Sequence, residues 1–323
     1  MMNNRFMRTY KLLIGKKKAK EGIAIEQPMR IEFDITKDTE SEPNENTIKI
    51  YNLAPETRKA IEQPDMRCVL YAGYEEEHIS LLCCGDIAQA YSYHDGADWV
   101  TQLFVLDGLI EVRDTAVSLG YGGGVSSSQI ANDIAAKMGV TLVGADNLKT
   151  RQWANGFSFY GAARIALNKI TAGTGLEWSI QNGELQIVNK RGVTKREGYV
   201  LAKDSGLIGY PERTREAAKS KKDDSPKKKK EEKFSNDRQA KDGWNVKSLL
   251  LPMVNPCDKI KLESQSVTGW FRVESIKHTG DSFSGDWQSE LHLIELGEKT
   301  KGEKVAEKKA KHRKKKKAKK KDE

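Results

Sequence analysis

GDWQSELHLIEL, residues 285–296, decides how this chain is read, because ADWVTQLFVLDG at 97–108 repeats it. In a β-strand alternate residues share a face. Trp99, Thr101, Leu103, Val105 and Asp107 then fall opposite Trp287, Ser289, Leu291, Leu293 and Glu295, each pair keeping its chemical class. The other face is looser, setting Val100, Gln102, Phe104 and Leu106 against Gln288, Glu290, His292 and Ile294. That asymmetry is expected when only one face must fit a core. Trp99, Leu103, Val105, Trp287, Leu291 and Leu293 are therefore the expected structural anchors of two equivalent β cores.

The echo continues upstream. LLCCGDIAQ from Leu81 falls on WFRVESIKH from Trp270, setting Cys84 on Val273 and Ile87 on Ile276, and RCVLYAGY from Arg67 falls on PCDKIKLE from Pro256. Alternation is generic, so two unrelated meanders could converge on it. Three strands in one order at a nearly constant shift favour a duplicated β unit.

A chain of 323 residues holds two or three domains. Its net charge of +9 is unevenly spread: Lys299–Glu323 carries +10 and Glu212–Asp242 carries +4, leaving −5 on the remainder. A fold that grips nucleic acid places Lys and Arg on its own surface. Here the basic charge sits in tail and loop, so the body is not expected to bind DNA tightly; a nucleic-acid-binding role would rest on the basic tail alone. No apolar run is long enough to span a bilayer, so no stable membrane insertion is expected. The first residues hold only a short apolar patch and no signal-peptide core, which points to synthesis and assembly in the cytoplasm. Cys68, Cys83, Cys84 and Cys257 show no CxxC spacing and are read as reduced core residues.

Residues 1–115 read as a first all-β domain, with strands at 30–36, 46–51, 67–74, 79–92 and 99–111 and a short helix near Pro55. From 116 to 195 the period changes. SSSQIANDIAAKMGV sets Ile130, Ile134 and Met138 four apart, with serine at the start and Gly139 at the stop, and YGAARIALNKITAG gives a second helix. GLEWSIQNGELQIVNK reads as a hairpin turning at Asn182–Gly183. A connector covers 196–211, and the charge runs of 212–243 read as a disordered loop. Residues 244–298 form the second β domain, possibly completed by the connector, and 299–323 a disordered Lys-rich tail.

Chemistry finds no foothold. None of the five histidines has metal-ligand spacing. The Asp and Gly residues around His94 are turn formers, and GYGGGVSSS lacks the Lys of a phosphate-binding loop. No catalytic, cofactor-binding or metal-ligating residue is assigned, and no enzyme activity or cofactor is expected.

As an ordered set, IEFDITKDTESEPNENTIKIYNL (31–53), GLEWSIQNGELQIV (175–188), DSGLIGYPE (204–212), VKSLLLPMVNPCDKIKLES (246–264) and GWFRVESIKHTGDSFSGDWQSEL (269–291) resemble the baseplate hub proteins of contractile-tailed bacteriophages, the late control D-like tail hub family. The resemblance runs from about Tyr10 to Leu296, apart from the charged loop. It implies a mainly β fold, with two similar tube-type β-barrel domains flanking a small helix-helix-hairpin α+β module. It also implies a structural protein of the virion tail baseplate: a homotrimer acting as symmetry adapter between a six-fold tail tube protein and a three-fold central spike protein. Other baseplate proteins would surround it, and during genome ejection DNA would pass through its channel without sequence-specific binding. The competing reading, a tail-associated peptidoglycan hydrolase, would call for a catalytic domain to which this chain devotes no residues.

Overall fold

The computed structural model describes residues 7–16, 21–39, 44–75, 79–148, 151–190, 192–216 and 241–296. The chain begins with β1 (Arg8–Lys16), β2 (Ile23–Glu26), β3 (Ile31–Lys37) and β4 (Glu45–Tyr51), then α1 (Pro55–Ile61), β5 (Met66–Tyr74), β6 (Ser80–Asp95), β7 (Asp98–Leu106) and α2 (Leu109–Asp114). The middle contains β8 (Ala116–Tyr121), β9 (Val125–Ser126), α3 (Ser127–Met138), β10 (Thr141–Val143), β11 (Gln152–Trp153), β12 (Phe157–Ala162), α4 (Ala163–Thr171), β13 (Leu176–Gln181) and β14 (Glu184–Asn189). The last part is β15 (Tyr199–Ala202), β16 (Leu207–Glu216), β17 (Lys241–Leu249), β18 (Lys259–Glu263), β19 (Thr268–Asp281) and β20 (Trp287–Glu295).

Among the described residues no closed barrel is found in place of the two expected. The β regions merge into one thirteen-stranded sheet that runs β16-β17-β20-β19-β3-β4-β7-β6-β5-β1-β2, with β18 and β15 branching from β19, and among the described residues it does not close. Its first half has the order β3-β4-β7-β6-β5 and its second β16-β17-β20-β19-β18, the same path walked twice. The halves join where β19 pairs antiparallel with β3, from Ile276 opposite Lys37 to Asp281 opposite Glu32.

The strands follow their period-two burial. Ile31, Phe33 and Ile35 on β3, Ile48 and Ile50 on β4, and Leu103 and Val105 on β7 point into one core, shared with Leu12 and Ile14 of β1. That first strand lies in RTYKLLIGK, read above only as an apolar patch; Tyr10, Leu12 and Ile14 alternate cleanly, but the flanking lysines dilute the signal. Val246, Val273, Ile276, Leu291 and Leu293 form a second β core. The strand expected to reach residue 111 stops at Leu106, because Gly108 takes a left-handed φ of 67° and the chain turns into α2. Of the segment read as a loop, Glu212–Glu216 pairs with Lys241–Asn245 as the ends of β16 and β17. The sheet therefore extends further into the charged stretch than its composition suggests, since β17 gains a partner on each edge. Residues 217–240 and the tail lie outside the described residues.

α3 and α4 pack on the β13–β14 hairpin through Ile130, Ile134, Leu167, Ile170, Trp178 and Ile187, a third core of its own. Ser126 caps α3 by accepting the Gln129 N–H at 3.1 Å, and Gly139 ends it at φ 74°. The hairpin turns at Asn182 (φ 54°) and Gly183 (φ 78°).

Candidate assembly interface

Register shows how alike the two β units are. In the first, Ile87 pairs with Val105 and Gln89 with Phe104, so Ala88 is bulged; in the second, Val273 pairs with Leu293 and Ser275 with His292, so Glu274 is bulged. The bulges fall at the same rung. Side-chain and backbone contacts follow suit: Ser92 and Thr101 hydroxyls hydrogen-bond at 3.0 Å where His278 Nδ1 and Ser289 Oγ meet at 2.8 Å. The Asn52 N–H donates to the Trp99 carbonyl where the Leu250 N–H donates to that of Trp287. This register corrects the sequence alignment of β6 with β19 by three residues: Ile87 matches Val273, not Ile276, and Ala90 matches Ile276. Both pairings put apolar residues together, so pattern alone could not separate them.

Of the six expected anchors, Leu103, Val105, Leu291, Leu293 and Trp287 are buried. Trp99 is not: it is 36% exposed, with the Arg58 guanidinium 3.8 Å over its ring and the His94 ring centroid 3.7 Å away. Trp287, 5% exposed, meets Phe33 edge-on at 5.2 Å and donates from Nε1 to the Gly73 carbonyl at 3.2 Å. The difference comes from what crosses each long strand. Phe33 of β3 lies where a side chain on Gly280 would stand, its Cζ only 2.2 Å from that Cβ position. The residue of β6 matching Gly280 is His94, and among the described residues no strand pairs with β6 between Ala88 and Asp95 except β7. Among the described residues the outer edge of β16 likewise takes no strand.

The sheet face away from the cores is polar, and Arg30, Lys49, Lys247 and Lys277 on it each meet a carboxylate. Lys277 meets Asp34 at 2.8 Å, Lys247 meets Glu290 at 2.8 Å, Arg30 meets Asp281 at 2.9 Å and Glu32 at 2.7 Å, and Lys49 reaches Glu32 at 3.8 Å. A groove of about 470 Å³ crosses this face beside β16, and one of about 340 Å³ lies over β3 and β19. Toward β6 the face turns aromatic and neutral: Tyr91 stacks near Phe104, and Tyr93 donates to Gln102.

Where the three cores meet, the contacts are polar. The buried Lys37 ammonium donates to Asn255 Oδ1 at 2.9 Å, and the buried Asp107 carboxylate accepts the Asn182 N–H at 2.6 Å. Burial pushes Asp107 up to about 7 and Lys37 down to about 8. Arg272, buried beneath the hairpin, pairs with Glu177 and with Glu274 at 3.5 Å. None of these residues was legible as a site, because each is isolated in sequence. Cys68, Cys83 and Cys257 are buried free thiols and Cys84 is half-buried, each pushed upward by burial. Among the described residues no three His, Cys, Asp or Glu side chains converge as metal ligands, and no helix is long and apolar enough to cross a membrane.

No protein-family model matches the chain, and no curated protein matches it in sequence. Solved structures do. A tail protein from Neisseria meningitidis aligns with TM-score 0.58 at 12% identity, over 90% of this chain and 97% of its own. The 43 kDa tail protein of prophage MuSo2 from Shewanella oneidensis gives 0.56 at 9%, over 88% and 98%. A type VI secretion component from E. coli, described as structurally similar to the T4 bacteriophage tail proteins gp27 and gp5, gives 0.53 at 9%, over 88% and 77%. The chain shares its fold with phage tail proteins. At these identities the likeness concerns the fold, which spans nearly the whole of both tail proteins.

Proposed function

We propose that this chain is a structural baseplate hub protein of a contractile bacteriophage tail, a homotrimer that adapts a six-fold tail tube to a three-fold central spike. One observation carries the reading: a single chain holds two β units of the same strand order, with the same bulged rung, fused edge to edge into one sheet. Three such chains offer six similar positions to a tube while retaining three-fold symmetry for a spike, which single-unit chains in a trimer could not do. The shared fold with phage tail proteins supports the same placement.

The polar sheet face supports the role of DNA in this scheme. Protein binds DNA by releasing counterions from phosphates with free Lys and Arg. Lys277 and Lys247 each lie against a carboxylate, so a channel lined by this face would let DNA slide rather than hold it. The test is an electron-microscopy reconstruction of the protein on its tail tube, with mass measured by light scattering. Three copies presenting both β units to the tube are expected; a ring in which only one unit faces the tube would overturn the reading.

A further inference from the structure

From the two units' edges we infer that copies of this chain join head to tail, β6 of one pairing antiparallel with β16 of the next, in the register by which β19 already pairs with β3 inside the chain. The inference deepens the hub reading, and rests on it for the number of copies but not for the contact itself.

The argument is one of equivalence. Register through β7 and β20 matches β6 residues 90–95 with β19 residues 276–281, and register through β4 and β17 matches Asp34–Lys37 of β3 with Glu212–Arg215 of β16. Inside the chain these edges are joined, as β19 to β3. The matching edges on β6 and β16 have no strand partner among the described residues. Unpaired edges recruit strands. A subunit that carries one half of a contact on β6 and the other half on β16 makes a heterologous contact, which closes a ring when the rotation allows.

Carrying the internal register over sets Tyr91 opposite Thr214, Ser92 opposite Arg213 and Tyr93 opposite Glu212. The diagonal that inside the chain puts Lys277 against Asp34 puts Tyr91 against Glu212 between copies. Beyond Glu212 the two joints differ in a complementary way. At Phe33's place β16 has the bulge Gly209–Pro211, which skips from Ile208 opposite Lys247 to Glu212 opposite Asn245. So the internal joint has its ring on the short strand over Gly280, and the outer joint has its ring, His94, on the long strand facing a bulge that contains Gly209. Pro211 lacks an N–H, so pairing stops there and the outer joint is the shorter of the two. Trp99 then lies beside the seam, where Trp287 lies beside the internal one.

Cysteine cross-linking in a Cys84→Ser background tests this. Directly opposed residues in an antiparallel pair stand about 4.5–5.5 Å apart, within disulfide reach. The full chain carrying Tyr93→Cys and Glu212→Cys is expected to oxidise into a covalent ladder that ends at the ring, at three copies if the hub reading holds. A mixture of the two single variants should stop at pairs containing one of each. Gln89→Cys with Glu212→Cys, displaced by four residues or about 13 Å along the strand, should not cross-link. A multimer by light scattering that cross-links no better through 93/212 than through 89/212 overturns the edge pairing while leaving the hub reading intact. A ladder that ends at another number keeps the pairing and overturns the trimer. A protein that stays monomeric at all concentrations and forms no 93/212 cross-link overturns the pairing.

Discussion

Trp287 and Trp99 occupy the same rung of two β units built on the same path, yet one is buried and the other about a third exposed. Their strands are equivalent; their neighbours are not. Trp287 is covered because β3 crosses β19 and brings Phe33 with it. Trp99 has Arg58 and His94 against its ring, and among the described residues no strand crosses the matching stretch of β6. Burial at a sheet edge is thus set by the next strand along, and a sequence repeat conveys the strand but not who lies beside it.

The sharpest way to break this comparison is to remove each ring in turn. Trp287→Ala should cost about 3–5 kcal/mol, the range for deleting a buried aromatic. Trp99→Ala in the isolated chain should cost little beyond its cation–π contact, about 0.5–1 kcal/mol. Equal shifts in chemical denaturation midpoints would mean the two rungs are not environmentally different. The second test exchanges the crossing point. Gly280→Ala drives a methyl into the Phe33 ring, and overpacking of this kind costs about 1–3 kcal/mol. His94→Ala, at the matching position, should move stability by well under that, measured by the same denaturation. If Gly280→Ala were neutral, Phe33 would not be held at the joint.

Much of this was legible in the sequence, and the failures have identifiable causes. The Trp strands declared the duplication because one face of each strand had to meet a core, and Leu103, Val105, Leu291 and Leu293 do so. The upstream alignment slipped because strand pattern does not fix turn length: Gly280 to Trp287 spans seven positions where the matching His94 to Trp99 spans five. Trp99 was misplaced because alternation gives a face and says nothing of what covers it. The fusion of the units through β19 and β3, and the open sheet that results, join residues some 240 positions apart, which no local pattern encodes. The polar junction of Lys37, Asp107 and Asn255 was invisible for the same reason.

That junction extends the comparison to a pair matched in sequence, Asp107 and Glu295. Asp107 is buried under the hairpin turn, whereas Glu295 is exposed. Burial raises Asp107 to about 7 from an ordinary 3.8, so between those values the native state binds a proton the unfolded chain has lost. Its contribution to stability is therefore greatest at low pH and declines as pH rises from about 4 to 7, by at most about 1.4 kcal/mol per pH unit. Lys37, lowered to about 8, acts in the other direction, adding stability as pH rises from about 8 toward 10.5. Asp107→Asn should flatten the decline across pH 4–7 relative to the parent protein, and Glu295→Gln should leave it in place. Parallel curves for Asp107→Asn and the parent would show that the carboxylate is not held in its neutral form.

The smallest expected effect on stability concerns the polar face, and it compares an ion pair across the internal joint with one inside the second unit. Lys277–Asp34 joins β19 to β3, and Lys247–Glu290 joins β17 to β20; all four side chains are about half exposed. Exposed pairs contribute about 0.2–1 kcal/mol and are screened by salt. Asp34→Asn or Glu290→Gln should therefore lower stability only slightly at low salt and not at all near 1 M. Their effect on DNA should be easier to see, because each frees a lysine that otherwise meets a carboxylate. In the full chain, whose basic tail supplies a constant background, each freed lysine that reaches a phosphate should add up to about 0.9 to the slope of log affinity against log salt. If both variants retain DNA no better than the parent protein in salt titrations, the matched charges are not what keeps this face from holding DNA, and the sliding role would have to rest on the shape of the assembled channel instead.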